Sequence, residues 1–325
     1  MDVPEPEVGP GEVRIAVSAA SLNFGDIARC RGGVASVMAQ PPFTLGMDVC
    51  GVVDAADPGA DGWLGRRVVA TTKQSLGGMA ESAVAGVQSV FDAPEELDDA
   101  EAAAFTLPFH IGYLALHERA RIAAGESLLV VGGASGVGTA IIQLGVAAGA
   151  KVLAIAGGPA KGKLCAELGA EVTIDSTTDD IFDGVMSGTA SRGADVACDM
   201  VGGDRTETIW TCMAHGGRYV PVGFNDDPQS GLTGKPLRKV SIGNFSVVGV
   251  ILAYADVPIE MRRFGLNPFP PETGPRVHDR LRSLVTAGKV RPVIGRRISM
   301  DEVAGALEDH DQRRTTGRTV VEIGR

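Results

Sequence analysis

The chain has 325 residues, which is longer than the usual single domain and favours two domains. No apolar run approaches the ~18 residues that a membrane-spanning helix needs, and the first residues lack a leader pattern, so we expect a cytoplasmic protein with no membrane partner. The 40 acidic and 30 basic residues give a net charge of −10 without a long basic block, which argues against a nucleic-acid partner.

The chain begins with short strands of alternating polarity, separated by Gly and Pro turns. They lie at Glu12 to Val17, Val49 to Ala55, Arg67 to Thr71 and Ala80 to Ala85. Alternation with a period of two is typical of half-buried strands, and frequent turn residues favour antiparallel connections. This part of the sequence therefore predicts an antiparallel, barrel-like domain.

The pattern changes at Asp98, where acidic residues open an alanine-rich helical stretch that runs to about Arg121. Buried-type strands then follow at 128–131, 151–155, 171–174, 195–198, 218–222 and 246–251, with helical patterns between the first five. This alternation is typical of a doubly wound parallel sheet. A helix at 276–287 and strands at 292–298 and 318–323 close the chain. We expect an α/β fold with one domain at 1–97 and 290–325 and another at 98–289.

A glycine-rich turn joins the strand Leu128 to Val131 to a helix that begins at Gly136. Glycines at such a turn let a pyrophosphate approach the backbone, and the helix N-terminus offers N–H groups with a partial positive charge. We therefore predict that Ala134, Ser135, Gly136, Val137 and Gly138 bind the phosphates of a dinucleotide. The alternative is an ordinary strand-to-helix connection, since a glycine-rich turn is a weak signal by itself.

The second strand of this sheet is followed by a segment without acidic residues. No Asp or Glu occurs between Glu126 and Glu167. A carboxylate at this place accepts from the 2′-OH of NAD and would repel the 2′-phosphate of NADP. We therefore predict NADPH as the cofactor, with Lys161 near its 2′-phosphate and Gly158 among the residues that bind the cofactor. Lys163 is a weaker candidate, because lysines on helix surfaces are usually solvated.

Several short motifs occur in an order that resembles the medium-chain dehydrogenase/reductase superfamily, in its zinc-free quinone oxidoreductase and enoyl reductase branch. They are Pro10-Gly11-Glu12-Val13, Leu22-Asn23-Phe24-Gly25-Asp26, Gly51-Val52-Val53, Gly65-Arg66-Arg67-Val68, the glycine turn, Gly216-Gly217-Arg218 and Thr316-Gly317-Arg318. The resemblance covers nearly the whole chain. It implies a GroES-like β-barrel domain, a Rossmann domain, and NADPH held in a cleft between the two.

The resemblance also implies roles for particular residues. Asn23 matches a family asparagine beside the nicotinamide and the substrate, and Lys161 matches a lysine at the 2′-phosphate. Ser176 stands where the family often has a tyrosine against the adenosine ribose. Turns after the fourth and fifth strands of the Rossmann sheet bring Gly202, Gly223 and Phe224 to the cofactor.

The sequence predicts that no metal takes part. Zinc-dependent relatives have a Gly-His-Glu where this chain has Gly46-Met47-Asp48, and Met47 cannot replace the imidazole. The structural four-cysteine lobe of those relatives is also absent. Without a Lewis acid, hydride transfer is easiest to an electron-poor conjugated acceptor. We therefore expect an NADPH-dependent reductase of a small molecule, a quinone or an enone.

Departures from the family pattern keep other interpretations open. Ala28 replaces a tyrosine that is thought to contact the quinone, and Ile111 replaces a threonine near the nicotinamide. The neighbouring His110 is a candidate proton donor, although a histidine satisfied locally is the commoner case. The alternatives are a discrete enoyl-thioester reductase of fatty acid or polyketide type, or a cofactor-binding family member without turnover. The apolar segment Phe245 to Leu252, at the sheet edge, predicts a homodimer.

Overall fold

The computed structural model describes residues 3–32, 41–223, 235–257 and 259–324. Within these ranges the strands are β1 (Glu12–Ser21), β2 (Asp48–Ala56), β3 (Arg67–Thr71), β4 (Ser82–Gly86), β5 (Val90–Asp92), β6 (Ser127–Val131), β7 (Lys151–Ala156), β8 (Val172–Asp175), β9 (Ala194–Asp199), β10 (Met213–Pro221), β11 (Ser246–Val247), β12 (Ile294–Ile298) and β13 (Arg318–Glu322). The α-helices are α1 (Phe24–Cys30), α2 (Asp99–Ala103), α3 (Thr106–Tyr113), α4 (Gly136–Ala147), α5 (Pro159–Glu167), α6 (Ile181–Gly188), α7 (Thr206–Thr211), α8 (Arg238–Gly243), α9 (Thr273–Thr286) and α10 (Val303–Asp311).

The chain divides into two compact units. The first unit comprises Met1–His110 and Leu252–Arg325, so far as these residues are described, and the second comprises Ile111–Ile251. These divisions differ from the sequence boundaries at 97/98 and 289/290, because α2 and α9 pack with the strands of the first unit. Asp99 of α2 pairs with Arg67 of β3 at 2.8 Å, for example. The capping box between Asp98 and Glu101 begins α2 where the acidic residues predicted a helix start.

The first unit is built on a sheet with the order β12-β13-β1-β2-β3-β5, and β4 also pairs with β1. Side chains of β1 alternate strictly between buried and half-buried positions along its first eight residues, so Val13, Ile15 and Val17 enter the core. The C-terminal strand β13 pairs antiparallel with β1, with Ala20 opposite Val321. The end of the chain therefore completes the first unit, as the sequence predicted. The pairing of β12 with β13 is parallel.

The second unit contains the parallel sheet β11-β10-β9-β6-β7-β8, with helices between successive strands. Every residue of β6 is buried, which explains its uninterrupted apolar run. This arrangement confirms the doubly wound fold. None of the helices in the described ranges has the length and apolarity to cross a membrane.

One predicted strand is much shorter than expected. The sequence predicted a strand at 246–251, but only Ser246 and Val247 pair with β10. The N–H of Val248 still donates to the carbonyl of Tyr219 at 2.8 Å, and beyond it the carbonyl of Gly249 accepts from Arg119 Nε at 2.7 Å. The apolar residues after Val247 consequently lie beyond the paired part of the sheet edge.

Candidate active site

The turn between β6 and α4 is closed by the Ser135 hydroxyl. Ser135 Oγ donates to the carbonyl of Gly132 at 2.7 Å and accepts from the backbone N–H of Gly138 at 3.0 Å. Ser135 is thereby the N-cap of α4. Gly132 has φ +82°, and a Cβ at Gly138 would lie 2.2 Å from the carbonyl oxygen of Gly132. A side chain at Gly138 would therefore force the helix away from the strand.

This turn fits an anionic ligand. The N–H groups of Gly136 and Val137 lie in the first turn of α4. Backbone N–H groups in the first turn of a helix have no carbonyl acceptor within the helix. The first turn also contains no acidic residue, so the partial positive charge of the helix end is not neutralised locally. Ser135, Gly136 and Val137 are half-buried, whereas Ala134 and Gly138 are buried. The predicted phosphate-binding residues thus form one continuous turn with an accessible face.

The loop between β7 and α5 holds the next two predicted residues. Gly158 has φ +88°, a conformation that favours glycine, and Lys161 lies half-buried in the first turn of α5. The backbone N–H of Ser176 donates to the carbonyl of Ala156 at 2.9 Å, which ties the end of β8 to this loop. The exposed Lys163 pairs with Glu167 at 3.7 Å on the helix surface. Lys163 is thus engaged on the outer face of α5.

Asp175, which the sequence reasoning missed, reaches the same loop from β8. Its Oδ1 accepts from the N–H of Gly158 and from the N–H of Thr177, both at 2.9 Å, and from Thr177 Oγ1 at 2.6 Å. The hydrogen bond from Thr177 is the main cause of a lowered pKa of this carboxyl group. The Asp-x-Thr pattern is an Asx-turn signal and predicts the two local bonds, but the bond to Gly158 depends on strand order.

The turns after β9 and β10 are organised by a second missed residue, Asp199. Its side chain accepts from the N–H of Val201 at 2.8 Å, the N–H of Gly202 at 3.0 Å and Tyr219 Oη at 2.7 Å. Burial raises the pKa of Asp199, although these bonds oppose the rise. Asp199 therefore fixes the backbone of the turn that contains Gly202.

The parallel strands bring these turns to one edge of the sheet. A Cβ built at Gly132 would lie 3.2 Å from Val201 Cγ2, so the turns after β6 and β9 are in contact. A Cβ at Gly223 would lie 2.8 Å from the carbonyl oxygen of Met200, which brings the turn after β10 to the same place. This is where strand order reverses, the usual ligand position in doubly wound sheets. Phe224 lies outside the described residues.

In the first unit, Asn23 belongs to a buried polar network. Its Nδ2 donates to the carbonyl of Ser21 and to Asp48 Oδ2, both at 3.1 Å, and its Oδ1 accepts from Arg318 Nη1 at 2.9 Å. The opposite amide orientation would set oxygen against two acceptors and nitrogen against a donor, so these contacts determine the orientation. Both N–H groups are used. The capping box at the start of α1 also sets the Asn23 side chain against the backbone N–H of Asp26.

Arg318 supplies the positive charge of this network. Its Nη2 donates to Asp48 Oδ2 at 3.0 Å and its Nε donates to Ser21 Oγ at 2.8 Å. Burial raises the pKa of Asp48 to about 6, even though Arg318 opposes the rise. Asp26 is also buried, and it accepts from the N–H groups of Asn23 at 2.8 Å and Gly46 at 3.2 Å. These contacts fix the segment around Asn23 within the first unit.

Comparison with known proteins agrees with this geometry. Residues 9–95 match the family described as alcohol dehydrogenase GroES-like domain, and residues 136–264 match the family described as zinc-binding dehydrogenase. A quinone oxidoreductase-like protein 2 homolog from Nematostella vectensis is 30% identical over 322 residues, which cover 97% of this chain and 82% of that protein. The chain belongs to the medium-chain dehydrogenase/reductase superfamily, in its quinone oxidoreductase branch.

Two further relatives of this superfamily are informative. The structure of a quinone oxidoreductase from Thermus thermophilus, also solved in complex with NADPH, is 30% identical, with a TM-score of 0.76 over 99% of this chain and 95% of that one. Phthioceranic/hydroxyphthioceranic acid synthase from Mycobacterium tuberculosis is 35% identical over 264 residues, or 78% of this chain. The chain spans only 12% of the length of that synthase.

The family includes zinc-binding dehydrogenases, but the residues around Met47 do not suit zinc. Among the described residues, no three His, Cys, Asp or Glu side chains form a group that could hold a metal ion. Asp48 follows Met47 directly, and its charge is already met by the Arg318 guanidinium at 3.0 Å. The cation beside Asp48 is therefore the Arg318 side chain of the protein itself. The described residues around Met47 therefore do not form the tetrahedral set of nitrogen and sulfur ligands that zinc prefers.

His110 is fully buried and hydrogen-bonded at both ring nitrogens. Its Nδ1 lies 2.9 Å from Tyr254 Oη, and its Nε2 lies 3.1 Å from Nδ1 of His278, for which the sequence offered no role. His278 Nε2 lies 2.8 Å from the carbonyl oxygen of Asp92. The partners of His110 come from 144 and 168 residues away in the chain, so no local pattern reveals them. His110 is therefore better described as a histidine whose hydrogen bonds are satisfied within the protein, the commoner case, than as a proton donor to a ligand.

Proposed function

We propose that this medium-chain dehydrogenase/reductase is an NADPH-dependent, zinc-independent reductase of conjugated carbonyl compounds, with quinones and enones as its substrate class. The proposal is carried by the phosphate turn of Ser135 to Gly138 together with the carboxylate-free loop from Ala156 to Lys161. The carboxylate that does reach this loop, Asp175, is engaged there by three donors of the protein.

Different residues of the second unit bind different parts of the cofactor. Gly136 and Val137 donate backbone N–H groups to the pyrophosphate, and Ala134, Ser135 and Gly138 keep the turn in shape. Lys161 binds the 2′-phosphate, and Gly158 and Ser176 contact the adenosine ribose. Gly202 and Gly223 lie in the turns that receive the nicotinamide end, and Phe224, outside the described residues, keeps its predicted role there. NADPH, when bound, supplies the hydride.

The choice of hydride acceptor is supported by the described residues around Met47, which offer no suitable ligand set for zinc. An isolated carbonyl needs strong polarisation before it accepts hydride, whereas a conjugated system spreads the negative charge as it develops. In an enone, hydride adds to the β-carbon and a proton from water or a side chain adds to the α-carbon. In a quinone, one hydride and one proton give the hydroquinone. Both reactions balance with NADP⁺ as the other product.

Asn23 contributes to this reaction as a positioning residue. Both of its N–H groups are used by Ser21 and Asp48, so it cannot donate to the oxygen on which charge develops. Its Oδ1 accepts from Arg318, and the capping box of α1 sets its side chain against the backbone N–H of Asp26. The donor to the substrate oxygen therefore comes from another group.

A second candidate function is the reduction of enoyl thioesters. The observation that favours it is the 35% identity to the mycobacterial synthase, over 78% of this chain. An enoyl thioester is also a conjugated acceptor, so the same hydride chemistry applies. The two functions differ in the substrate rather than in the cofactor or the step.

The test is consumption of NADPH by chelator-treated protein with a panel of quinones, enones and crotonyl thioesters. Turnover with quinones or enones that exceeds turnover with thioesters supports the first function, and the reverse order supports the second. Binding of NADPH without turnover of any acceptor identifies a cofactor-binding protein instead. Metal-dependent oxidation of simple alcohols would overturn the proposal.

A further inference from the structure

We infer that Asp175 is a positioning residue that holds the 2′-phosphate loop in its binding conformation. This inference rests on the proposed use of NADPH. It starts from one contact between adjacent strands of the second unit: Asp175 Oδ1, at the end of β8, accepts from the N–H of Gly158, in the loop after β7, at 2.9 Å. Lys161 lies three residues beyond Gly158, in the first turn of α5.

Two described hydrogen bonds tie this loop to the end of β8. Gly158 is the N-cap of α5, but it has no side chain to cap the helix, and its φ of +88° belongs to the left-handed region. The N–H of Ser176 donates to the carbonyl of Ala156 at 2.9 Å. Together, these two bonds fix both sides of Gly157 to the end of β8. The Asp175 carboxylate is thus the side chain that sets the start of α5.

The carboxylate itself is held rigidly. Thr177 donates to the same oxygen twice, from its N–H at 2.9 Å and from Oγ1 at 2.6 Å. Asp179 accepts from the N–H of Asp175 at 2.8 Å. With three protein donors on Oδ1, this oxygen is engaged in holding the loop rather than free to bind a ribose hydroxyl.

Two substitutions separate the geometry from the charge. Asp175→Asn keeps an oxygen acceptor for Gly158 and Thr177 but removes the charge, whereas Asp175→Ala removes both. We expect Asp175→Ala to raise the KM for NADPH about tenfold, with kcat little changed, because it removes the acceptor that ties the N–H of Gly158 to the end of β8. We expect Asp175→Asn to stay within about twofold of the parent protein, as rescue by a conservative variant requires. Glu167→Ala, on the exposed face of α5, is the matched control.

Competition by 2′,5′-ADP and by 5′-AMP localises the effect. Asp175→Ala should weaken inhibition by 2′,5′-ADP and leave inhibition by 5′-AMP nearly unchanged, because only the former carries the 2′-phosphate. Should Asp175→Ala fail to fold, Thr177→Val provides the milder test: it removes one donor to Asp175, and the KM for NADPH should rise about two- to threefold.

Other outcomes overturn the inference. An equal increase in the KM for NADPH in Asp175→Asn and Asp175→Ala would show that the charge of Asp175, rather than its geometry as an acceptor, causes the effect. A lower KM for NADPH with poorer use of NADH would make Asp175 a ribose ligand of NADH, and no change in either Asp175→Ala or Thr177→Val would leave the loop independent of Asp175. The proposed function fails separately if the parent protein binds 2′,5′-ADP no better than 5′-AMP.

Discussion

His110 and His278 share a hydrogen bond of 3.1 Å whose direction is determined by its surroundings. The carbonyl of Asp92 can only accept, so His278 Nε2 donates to it and His278 Nδ1 accepts from His110 Nε2. His110 Nδ1 then accepts from Tyr254 Oη. Both imidazoles are neutral in this chain of bonds, and a proton added to either ring disrupts it.

The first prediction concerns the stability of the protein below neutral pH. Burial lowers the pKa of His278 to about 4 and the pKa of His110 well below its usual value, while both titrate near 6.5 when unfolded. Between about pH 6.5 and pH 4, the unfolded state therefore binds more protons than the folded state. The contribution of these two histidines to the free energy of unfolding should fall as the pH falls through this range, by an amount on the order of 3 kcal/mol for His278 alone, while the raised pKa of Asp48 acts in the opposite direction.

Urea unfolding at a series of pH values between about 7 and 4.5 measures this loss. Arg282 lowers the pKa of His278 further, whereas Asp92 and Asp279 raise it. The expected shift already includes the effects of these three neighbours. The variant His278→Gln should have a flatter dependence on pH. An equal slope in the variant and the parent protein would show that other groups cause the acid sensitivity.

The second prediction concerns Asn23. Asn23→Ala leaves Arg318 Nη1 and Asp48 Oδ2 each without one buried partner, and it removes the side chain from the capping box of α1. We expect kcat to fall about tenfold or more, with the binding of NADPH much less affected. Steady-state kinetics and equilibrium binding of NADPH separate the two effects. Asn244→Gly, at an exposed left-handed position in the second unit, is the control. Unchanged turnover in Asn23→Ala would remove the role assigned to Asn23.

The third prediction concerns the turn that contains Gly202. Tyr219→Phe removes the hydroxyl that donates to Asp199 at 2.7 Å, and Asp199 is only 1% exposed. We expect a loss of roughly 1–3 kcal/mol in the free energy of unfolding, the usual cost of a buried group left unpaired. We also expect weaker binding of NADPH, because Asp199 holds the backbone of Val201 and Gly202. Thermal unfolding and NADPH titration of the variant are the measurements, and a variant with parental values in both would contradict this account of Asp199.

The fourth prediction concerns self-association. In the described part of the second unit, β11 is the outer strand of the sheet, and Leu237, Ile242 and Ile251 near it are largely exposed. An open edge with exposed apolar side chains favours pairing with a second copy of the chain. We expect a homodimer by light scattering, and a monomer after Ile242→Asp. The exposed Phe182→Asp is the control, because it lies on α6. A monomeric parent protein would contradict the proposal.

The sequence predicts the parts of the fold that depend on local pattern. The alternation in β1, the buried run of β6 and the acidic start of α2 all appear where the sequence indicates them. The extent of β11 was overestimated, since the bond between Gly249 and Arg119 joins residues 130 positions apart. Local pattern carries no information on contacts at that separation.

The candidate site was predictable to a similar degree. The glycine turn is formed by consecutive residues, so its shape follows from the sequence. The bond from Gly158 to Asp175 depends on which strands are neighbours, and the pairing of His110 with His278 depends on how distant segments pack. Contacts between distant segments were therefore missed, and the ligand-facing roles that the sequence assigns stay predictions.

The central claim is hydride transfer from NADPH to a conjugated carbonyl without a metal. The most direct measurement uses NADPH carrying deuterium at C4 of the nicotinamide and an enone acceptor, with protein exhaustively treated with chelator, and follows the product by mass spectrometry. The account predicts that one of the two C4 positions delivers deuterium to the β-carbon of the reduced product, at a rate unaffected by added zinc. The account would be contradicted if the product carried no deuterium whichever of the two C4 positions was labelled. Turnover that appears only when zinc is restored would also contradict it.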